Sequence, residues 1–150
     1  MSTARAELTF DGPTVAAAES LWYDHDSWPL FIDGLRSVVS IEGEPPLVGS
    51  RTLWRSGPAG RGTVSERVIA YEPGLGQRLE VDDDAITAQQ SVQFSANASG
   101  LTIALELDYR LKSASPFRLV SDWLFIRRAQ AESLRRTLAA FAAELQQHEF

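Results

Sequence analysis

The sequence contains no cysteine and only two histidines, and both shortages exclude kinds of site. Without cysteine there are no disulfide bonds and no thiolate metal ligands. The two histidines, His25 and His148, lie too far apart in the sequence to suggest a zinc site, and no spacing of carboxylates suggests another metal. We therefore expect neither a metal nor a cofactor.

Basic residues and long apolar runs are also scarce. The chain has 14 Lys and Arg against 20 Asp and Glu, a formal net charge of −6. Because an acidic surface repels phosphate backbones, nucleic acid is not an expected partner. The first ten residues lack the apolar run of a signal peptide, and no stretch approaches the roughly 18 apolar residues of a membrane span. We expect a cytoplasmic protein without stable membrane insertion.

The chain is rich in apolar residues. With 44% hydrophobic residues in a length of 150, it can bury a core of its own. No repeat, low-complexity stretch or long linker divides it. We therefore predict one domain over residues 1–150.

The first 34 residues predict one strand and two helical pieces. Residues 6–10 alternate like a short strand, and Asp11-Gly12-Pro13 then turns the chain. The alanine-rich residues 14–23 predict a helix. Trp28-Pro29 interrupts it, so we expect a second short helical piece within residues 24–33 that ends at Gly34.

Residues 35–112 are typical of an antiparallel sheet, because β-branched and aromatic segments alternate with turn signals such as Pro73-Gly74-Leu75-Gly76. The clearest strand alternates from Leu101 to Leu111, with Leu105, Leu107 and Tyr109 on its apolar face. The turns are short, which favours a meander. We predict six strands here, at about 35–43, 48–56, 62–72, 77–83, 86–96 and 101–112.

Ser115-Pro116 opens a long helix that we predict from about Phe117 to Gln147. At about 100° per residue its apolar residues form one stripe. The sheet supplies the surface on which such a stripe can pack, so the fold class is α+β, with about seven strands around a long C-terminal helix. The stripe consists of Val120, Leu124, Ala131, Leu134, Leu138, Phe141 and Leu145.

Three segments point to a family: Asp24–Val39 with its Trp28-Pro29-Leu30-Phe31, the strand Thr63–Val68, and Ser115-Pro116-Phe117. In these segments and in element order the chain resembles the START/Bet v 1-like (SRPBCC) superfamily with its helix-grip fold, and in particular the polyketide cyclase/dehydrase branch. The resemblance implies a cavity between sheet and helix that holds a polyketide, sterol, quinone or other small hydrophobic molecule. Because this fold hosts carriers as well as cyclases, the resemblance does not decide the activity.

Arg67 is the first candidate that the resemblance implies. Ser65-Glu66-Arg67 is similar to the Ser-x-Arg strand motif through which some aromatic polyketide cyclases present a cavity arginine. A guanidinium there can orient a ketone or stabilise an enolate. The periodicity leaves the inward face of this strand open. On the opposite assignment Glu66 faces the cavity as a candidate base, and Arg67 pairs on the solvent side.

Further candidates are polar residues at apolar positions. Tyr109 is a candidate general acid, or an ordinary half-buried tyrosine of the last strand. Arg127, in the middle of the helix stripe, faces a ligand, or else it snorkels to the surface or forms a structural ion pair. Gln90 is a polar residue in phase with Val92 and Phe94, so it lies on an apolar face. A buried amide needs a hydrogen-bond partner, and a ligand is one of several that could supply it. The predicted ligand-binding residues are Phe31, Leu35, Trp54, Ser65, Leu79, Val81, Gln90, Phe94, Leu105, Leu107, Leu124 and Arg127.

Two observations argue against catalysis. His25 lies between Asp24 and Asp26, but adjacent residues rarely present their side chains to each other, and no nucleophile motif accompanies it. Positions where the cyclases carry polar cavity groups fall here on Leu35, Leu107 and Ser133. The sequence therefore favours a carrier of a small hydrophobic molecule, as monomer or homodimer. The alternative is a polyketide cyclase or dehydratase in which Arg67 stabilises an enolate.

Overall fold

The computed structural model describes residues 2–57, 62–112 and 119–147, and for residues 119–128 it describes the backbone only. The chain begins with β1 (Ser2–Phe10), α1 (Val15–Trp22), a 3-10 turn (His25–Ser27) and α2 (Trp28–Phe31). It ends with the long helix α3 (Leu119–Gln147). The strands between are β2 (Leu35–Glu42), β3 (Arg51–Ser56), β4 (Thr63–Glu72), β5 (Gly76–Asp82), β6 (Ile86–Asn97) and β7 (Gly100–Leu111).

The described strands form one antiparallel sheet in the order β1-β7-β6-β5-β4-β3-β2. Strands β2 to β7 follow one another as a meander, whereas β1 pairs with β7. The helices α1 and α2 therefore carry the chain from one edge of the sheet to the other. The predicted α+β helix-grip architecture is confirmed.

Two strand starts differ from the prediction by three or more residues. β1 begins at Ser2, not at residue 6, because its first residues continue the ladder on β7 as far as the pair Ser2–Tyr109. β3 begins at Arg51, not at residue 48, because the preceding residues form a turn in which Ser50 N donates to Leu47 O at 3.1 Å. Gly49 in this turn has a φ of 92°, which glycine adopts at little cost.

The core lies between the helices and the inner face of the sheet. The described side chains of α3 pack mainly against β1 and α2. The ring of Phe141 lies 5.2 Å from Trp22 and 5.1 Å from Phe31, both edge-to-face. No helix within the described residues has both the length and the apolar content needed to cross a membrane. In the predicted stripe Leu134, Leu138, Phe141 and Leu145 are buried, Ala131 is half-buried, and the side chains of Val120 and Leu124 lie outside the described residues.

Candidate functional site

Arg67 lies on the outer face of the sheet. Its Nη2 donates to Oε2 of Glu80 on β5 at 2.7 Å, and the two side chains are 43% and 49% exposed. Ser65 shares this face, and both residues line an open groove there. The expectation that Arg67 and Ser65 face the cavity is therefore wrong, because the alternation of β4 places Glu66 and Val68 inward.

Glu66 takes the inward position that the periodicity had left open. Its side chain is buried, and its direct cross-strand neighbours are Thr52 on β3 and Val81 on β5. Thr52 is buried as well. Because an acidic side chain is costly to bury without polar neighbours, the hydroxyl of Thr52 beside it is the first sign of a polar site.

His25 lies over this pair from the 3-10 turn. Its Nε2 is 2.9 Å from Oγ1 of Thr52, and its Nδ1 is 3.2 Å from the carbonyl oxygen of Tyr23. A carbonyl only accepts hydrogen bonds, so Nδ1 carries the proton, and Nε2 of the neutral ring accepts from the Thr52 hydroxyl. Asp24 caps the turn by accepting from Asp26 N and Ser27 Oγ. As expected, the two carboxylates beside His25 in sequence are not its hydrogen-bond partners.

Burial controls the protonation of both rings at this site. It lowers the pKa of His25, and this effect outweighs the raising effects of the Tyr23 carbonyl and of the Asp24 and Asp26 charges. The imidazole is therefore neutral at pH 7. Burial also raises the pKa of Tyr23, and the charge of Glu19 adds to the shift. The Tyr23 hydroxyl is therefore a neutral hydrogen-bond donor at physiological pH.

We call Tyr23, His25, Thr52 and Glu66 the polar cluster, because all four line one small cavity beneath the β2–β3 loop. The cavity volume is about 10 Å³, close to the least that admits one water molecule. The Tyr23 hydroxyl is buried and has no hydrogen-bond partner among the described residues. The remaining lining consists of the amide of Gln77 and the apolar side chains of Trp28, Pro45, Pro46, Val68 and Leu79.

Trp28 connects the polar cluster to the aromatic core. Its ring stacks on His25 at a centroid distance of 4.0 Å, and its Nε1 donates to the carbonyl oxygen of Trp22 at 2.8 Å. Trp22 packs in turn against Phe31 and Phe141. The orientation of His25 is therefore coupled to the packing of all three helices.

Tyr109 lies on the inner face but not at this cavity. It belongs to the same cross-strand row as Glu66, with Val81 and Ala88 between them. Three strand spacings of about 4.8 Å separate their Cα atoms by roughly 14 Å. The two predicted catalytic groups are therefore on one face without sharing the cavity.

The other predicted lining residues are distributed over several parts of the structure. Leu79 lines the cavity of the polar cluster, whereas Phe31 and Phe94 pack in the aromatic core around Trp22. Gln90 is half-buried on the inner face between Leu79 and Leu107. The side chains of Leu124 and Arg127 lie outside the described residues. Buried in the surrounding core are Leu35, Trp54, Val81, Leu105 and Leu107.

Sequence analysis missed Tyr23, Thr52 and Gln77 and gave His25 no role. Thr52 is in phase with Trp54, and Gln77 is in phase with Leu79, so the alternation contained a signal for both. No sequence pattern connects Tyr23 or His25 with the sheet. Their contacts depend on how α1 and the 3-10 turn pack on it.

Comparison with known proteins agrees with this fold. No protein-family model matches the chain, and neither does any curated protein sequence. Among solved structures, the di-domain ARO/CYC StfQ from the steffimycin biosynthetic pathway superimposes with a TM-score of 0.75 at 16% identity, over 94% of this chain and 49% of that one. Norcoclaurine synthase from Thalictrum flavum, in complex with dopamine and hydroxybenzaldehyde, gives 0.71 at 11% identity, over 99% and 88%. Ara h 8.0201 gives 0.68 at 13% identity, over 98% and 99%.

The chain has the Bet v 1-like helix-grip fold. It spans about half the length of StfQ and nearly the full length of Ara h 8.0201. Because these identities lie between 11% and 16%, the likeness extends to the fold alone.

Proposed function

We propose that this chain binds a small, largely apolar molecule against the inner face of its sheet, with the polar end of that molecule at the polar cluster. The observation that carries the proposal is the Tyr23 hydroxyl, which is buried beside a cavity and has no partner among the described residues. Buried polar groups in native proteins nearly always have a hydrogen-bond partner. A binding partner for this hydroxyl is the simplest reason for its position.

The lining of the cavity suits such a ligand. Small-molecule sites are mostly apolar and contain a few convergent polar groups. Trp28, Val68 and Leu79 supply the apolar surface here, and the polar cluster supplies the polar groups. The resulting mixture matches an apolar body with one polar end.

A ligand larger than a water molecule has to displace one wall of the cavity. Pro45 and Pro46 form the wall on the β2–β3 loop, whose Leu47 and Val48 are 52% and 63% exposed. The other walls belong to the sheet and to the junction of α1 and α2. We propose that the ligand enters by displacing this loop, because most of its residues are exposed.

The structural neighbours support a small molecule as the ligand. Norcoclaurine synthase was solved with two small aromatic molecules, dopamine and hydroxybenzaldehyde. ARO/CYC StfQ belongs to a biosynthetic pathway that makes steffimycin. A small molecule as the ligand of this chain is consistent with both neighbours.

The alternative function is a polyketide cyclase or dehydratase, and its residues are dispersed in this structure. Arg67 lies on the outer face, where it pairs with Glu80. Glu66 and Tyr109 remain as an inward base and acid, but Tyr109 does not line the cavity of the polar cluster. We therefore propose binding, not turnover, as the function.

The experiment is native mass spectrometry of the protein purified from its own host, together with tryptophan fluorescence. We expect a non-covalent small-molecule adduct that is lost on denaturation. Because Trp28 lines the cavity, rebinding of the extracted compound should change the emission of wild type and of Trp54→Phe more than that of Trp28→Phe. A protein that carries no adduct, and whose Tm no apolar compound raises, contradicts the proposal.

A further inference from the structure

We infer that Tyr23 and Gln77 together make the polar contact that selects the ligand, and that they bind the oxygen of a carbonyl or hydroxyl group. The inference rests on the proposed function, because it assigns residues and ligand chemistry within the same cavity. It follows from which polar groups of the lining already have partners. The Tyr23 hydroxyl and the Gln77 amide are the two that have none among the described residues.

The end of the cavity at His25 and Thr52 is already satisfied. The Thr52 hydroxyl donates to Nε2 of His25 at 2.9 Å, and Nδ1 of His25 donates to the carbonyl oxygen of Tyr23 at 3.2 Å. Glu66, the direct cross-strand neighbour of Thr52, also has an interaction partner. A ligand at this end would have to break one existing contact for each new one, so it would gain little net free energy.

Gln77 lies at the other end of the cavity, on the inner face of β5. The residue is 8% exposed, and its amide makes no hydrogen bond with a described residue. Val81, the cross-strand neighbour of Glu66, lies four residues further along the strand, or about 13 Å away. The cross-strand pair Val68–Leu79 lies between these two positions. Apolar side chains therefore separate the Gln77 amide from the satisfied end.

The ring of Tyr23 reaches the same end of the cavity as Gln77. It packs edge-to-face on Tyr71 at a centroid distance of 5.5 Å, and Tyr71 is the direct cross-strand neighbour of Gln77. The ring of Phe94, on the next strand, lies 6.3 Å from that of Tyr23. Aromatic and cross-strand packing therefore holds two polar groups without described partners at one end of the cavity.

These two groups suit a ligand oxygen that accepts hydrogen bonds. Because burial raises the pKa of Tyr23, its hydroxyl keeps its proton and donates it. The Gln77 amide has two N–H donors and an acceptor oxygen. A carbonyl oxygen can accept from both residues, and a hydroxyl group can accept from Tyr23 while it donates to the amide oxygen of Gln77. A hydrocarbon makes neither contact and leaves both buried groups unpaired, which is unfavourable.

The test compares probes that share an apolar body and differ only in the oxygen function. Acetophenone, phenylethanol and ethylbenzene, and then acetylnaphthalene, naphthylethanol and ethylnaphthalene, are titrated into the full chain at neutral pH by calorimetry. The quantity measured is the ratio of the affinity for the ketone or the alcohol to the affinity for the hydrocarbon of the same series. Because the apolar body is common to a series, the change in this ratio between wild type and a variant reports the contact with the oxygen.

Two variants assign the contact to the two side chains. Tyr23→Phe removes the hydroxyl and keeps the ring, and Gln77→Met replaces the amide by an apolar chain of similar length. Each should lower the ratio for the ketone or for the alcohol by about fivefold, which corresponds to one neutral hydrogen bond. The control Tyr71→Phe changes a ring that touches Tyr23 but is not among the described residues that line the cavity, and the control Gln93→Met lies at an exposed position of β6. Both controls should leave the ratios unchanged.

The outcomes separate this inference from the function on which it rests. If the probes bind and neither Tyr23→Phe nor Gln77→Met lowers a ratio, the inference is overturned and ligand binding stands. If no probe binds but the protein from its own host carries an adduct, both variants are purified from that host. Lower occupancy than in wild type supports the inference, and equal occupancy in both variants overturns it. If no probe binds and no adduct is found, the proposed function fails, and the inference fails with it.

Discussion

Nε2 of His25 lies 2.9 Å from Oγ1 of Thr52, and this contact joins the turn after α1 to the inner face of β3. The two residues are 27 positions apart in the sequence. Trp28 stacks on the other side of the same imidazole. The contact therefore holds one side of the cavity closed, and its removal should be measurable in stability and in titration.

Thr52→Val should lower the free energy of unfolding by about 1–2 kcal/mol, because it keeps the shape of the side chain and leaves the half-buried Nε2 of His25 without its donor. Urea unfolding followed by circular dichroism measures the change. Thr87→Val, at an exposed position of β6, is the matched control and should stay within about 0.5 kcal/mol of wild type. Equal effects of the two substitutions would show that the His25–Thr52 contact does not stabilise the fold.

His25 should make stability fall as the pH is lowered from about 7 to 5.5. Burial lowers its pKa in the folded state, so below about pH 6.5 the unfolded chain binds more protons than the folded one. The contribution is fully present above the unfolded pKa and is lost as the pH falls through the folded pKa. Urea unfolding at several pH values gives the slope for wild type, His25→Gln and His148→Gln.

The slope should be smaller in His25→Gln, and His148→Gln reports what the other histidine contributes. In the NMR spectrum the ring protons of His25 should titrate with a midpoint below the ordinary value for histidine. A midpoint above 6.5 would contradict both the neutral ring and the direction of the hydrogen bond from Thr52.

Tyr23→Phe should change the free energy of unfolding of the unliganded protein by less than about 0.5 kcal/mol. The substitution removes a buried hydroxyl that has no described partner, and it keeps the edge-to-face contact with Tyr71 at 5.5 Å. Thermal and urea unfolding measure the effect. A loss above about 1 kcal/mol would show that the hydroxyl already has a strong partner in the unliganded protein.

Arg67→Ala should leave ligand binding unchanged, since its side chain lies on the opposite face of the sheet from the polar cluster. Its ion pair with Glu80 is exposed, so the loss of stability should be below about 1 kcal/mol. Fluorescence titration with the compound extracted from the host protein compares it directly with Glu66→Gln, the neighbouring position of the same strand. A loss of affinity in Arg67→Ala alone would favour the cyclase interpretation of the Ser-x-Arg motif.

Much of the fold was predictable because it depends on local periodicity. The alternation from Leu101 to Leu111 and the spacing of Leu134, Leu138 and Phe141 both follow from which positions of a strand or helix share a face. The strand bounds were less predictable. Ser2 extends β1 only because β7 offers it a partner, and β3 starts late only because Leu47–Ser50 form a turn.

The candidate site was predictable only in part. Glu66 and Leu79 were named from the sequence, and both line the cavity. Arg67 was the first candidate because of the motif resemblance, but the alternation allowed either phase, and β4 takes the phase in which Glu66 faces inward. Tyr23 gave no signal, since a tyrosine at the end of a short helix is ordinary in sequence.

By itself the sequence determined the spacing of the apolar residues, which is two residues in the strands and 3.6 in the helices. This spacing gives a sheet with an apolar inner face and a helix that packs on it. The phase of β4 was decided only by the tertiary structure, because a strand of mixed polarity takes its inward face from the neighbours with which it pairs. The polar cluster was decided in the same way. Tyr23 and His25 meet Thr52 and Glu66 only when the junction of α1 and α2 packs over the sheet, and no local pattern encodes a contact over that distance.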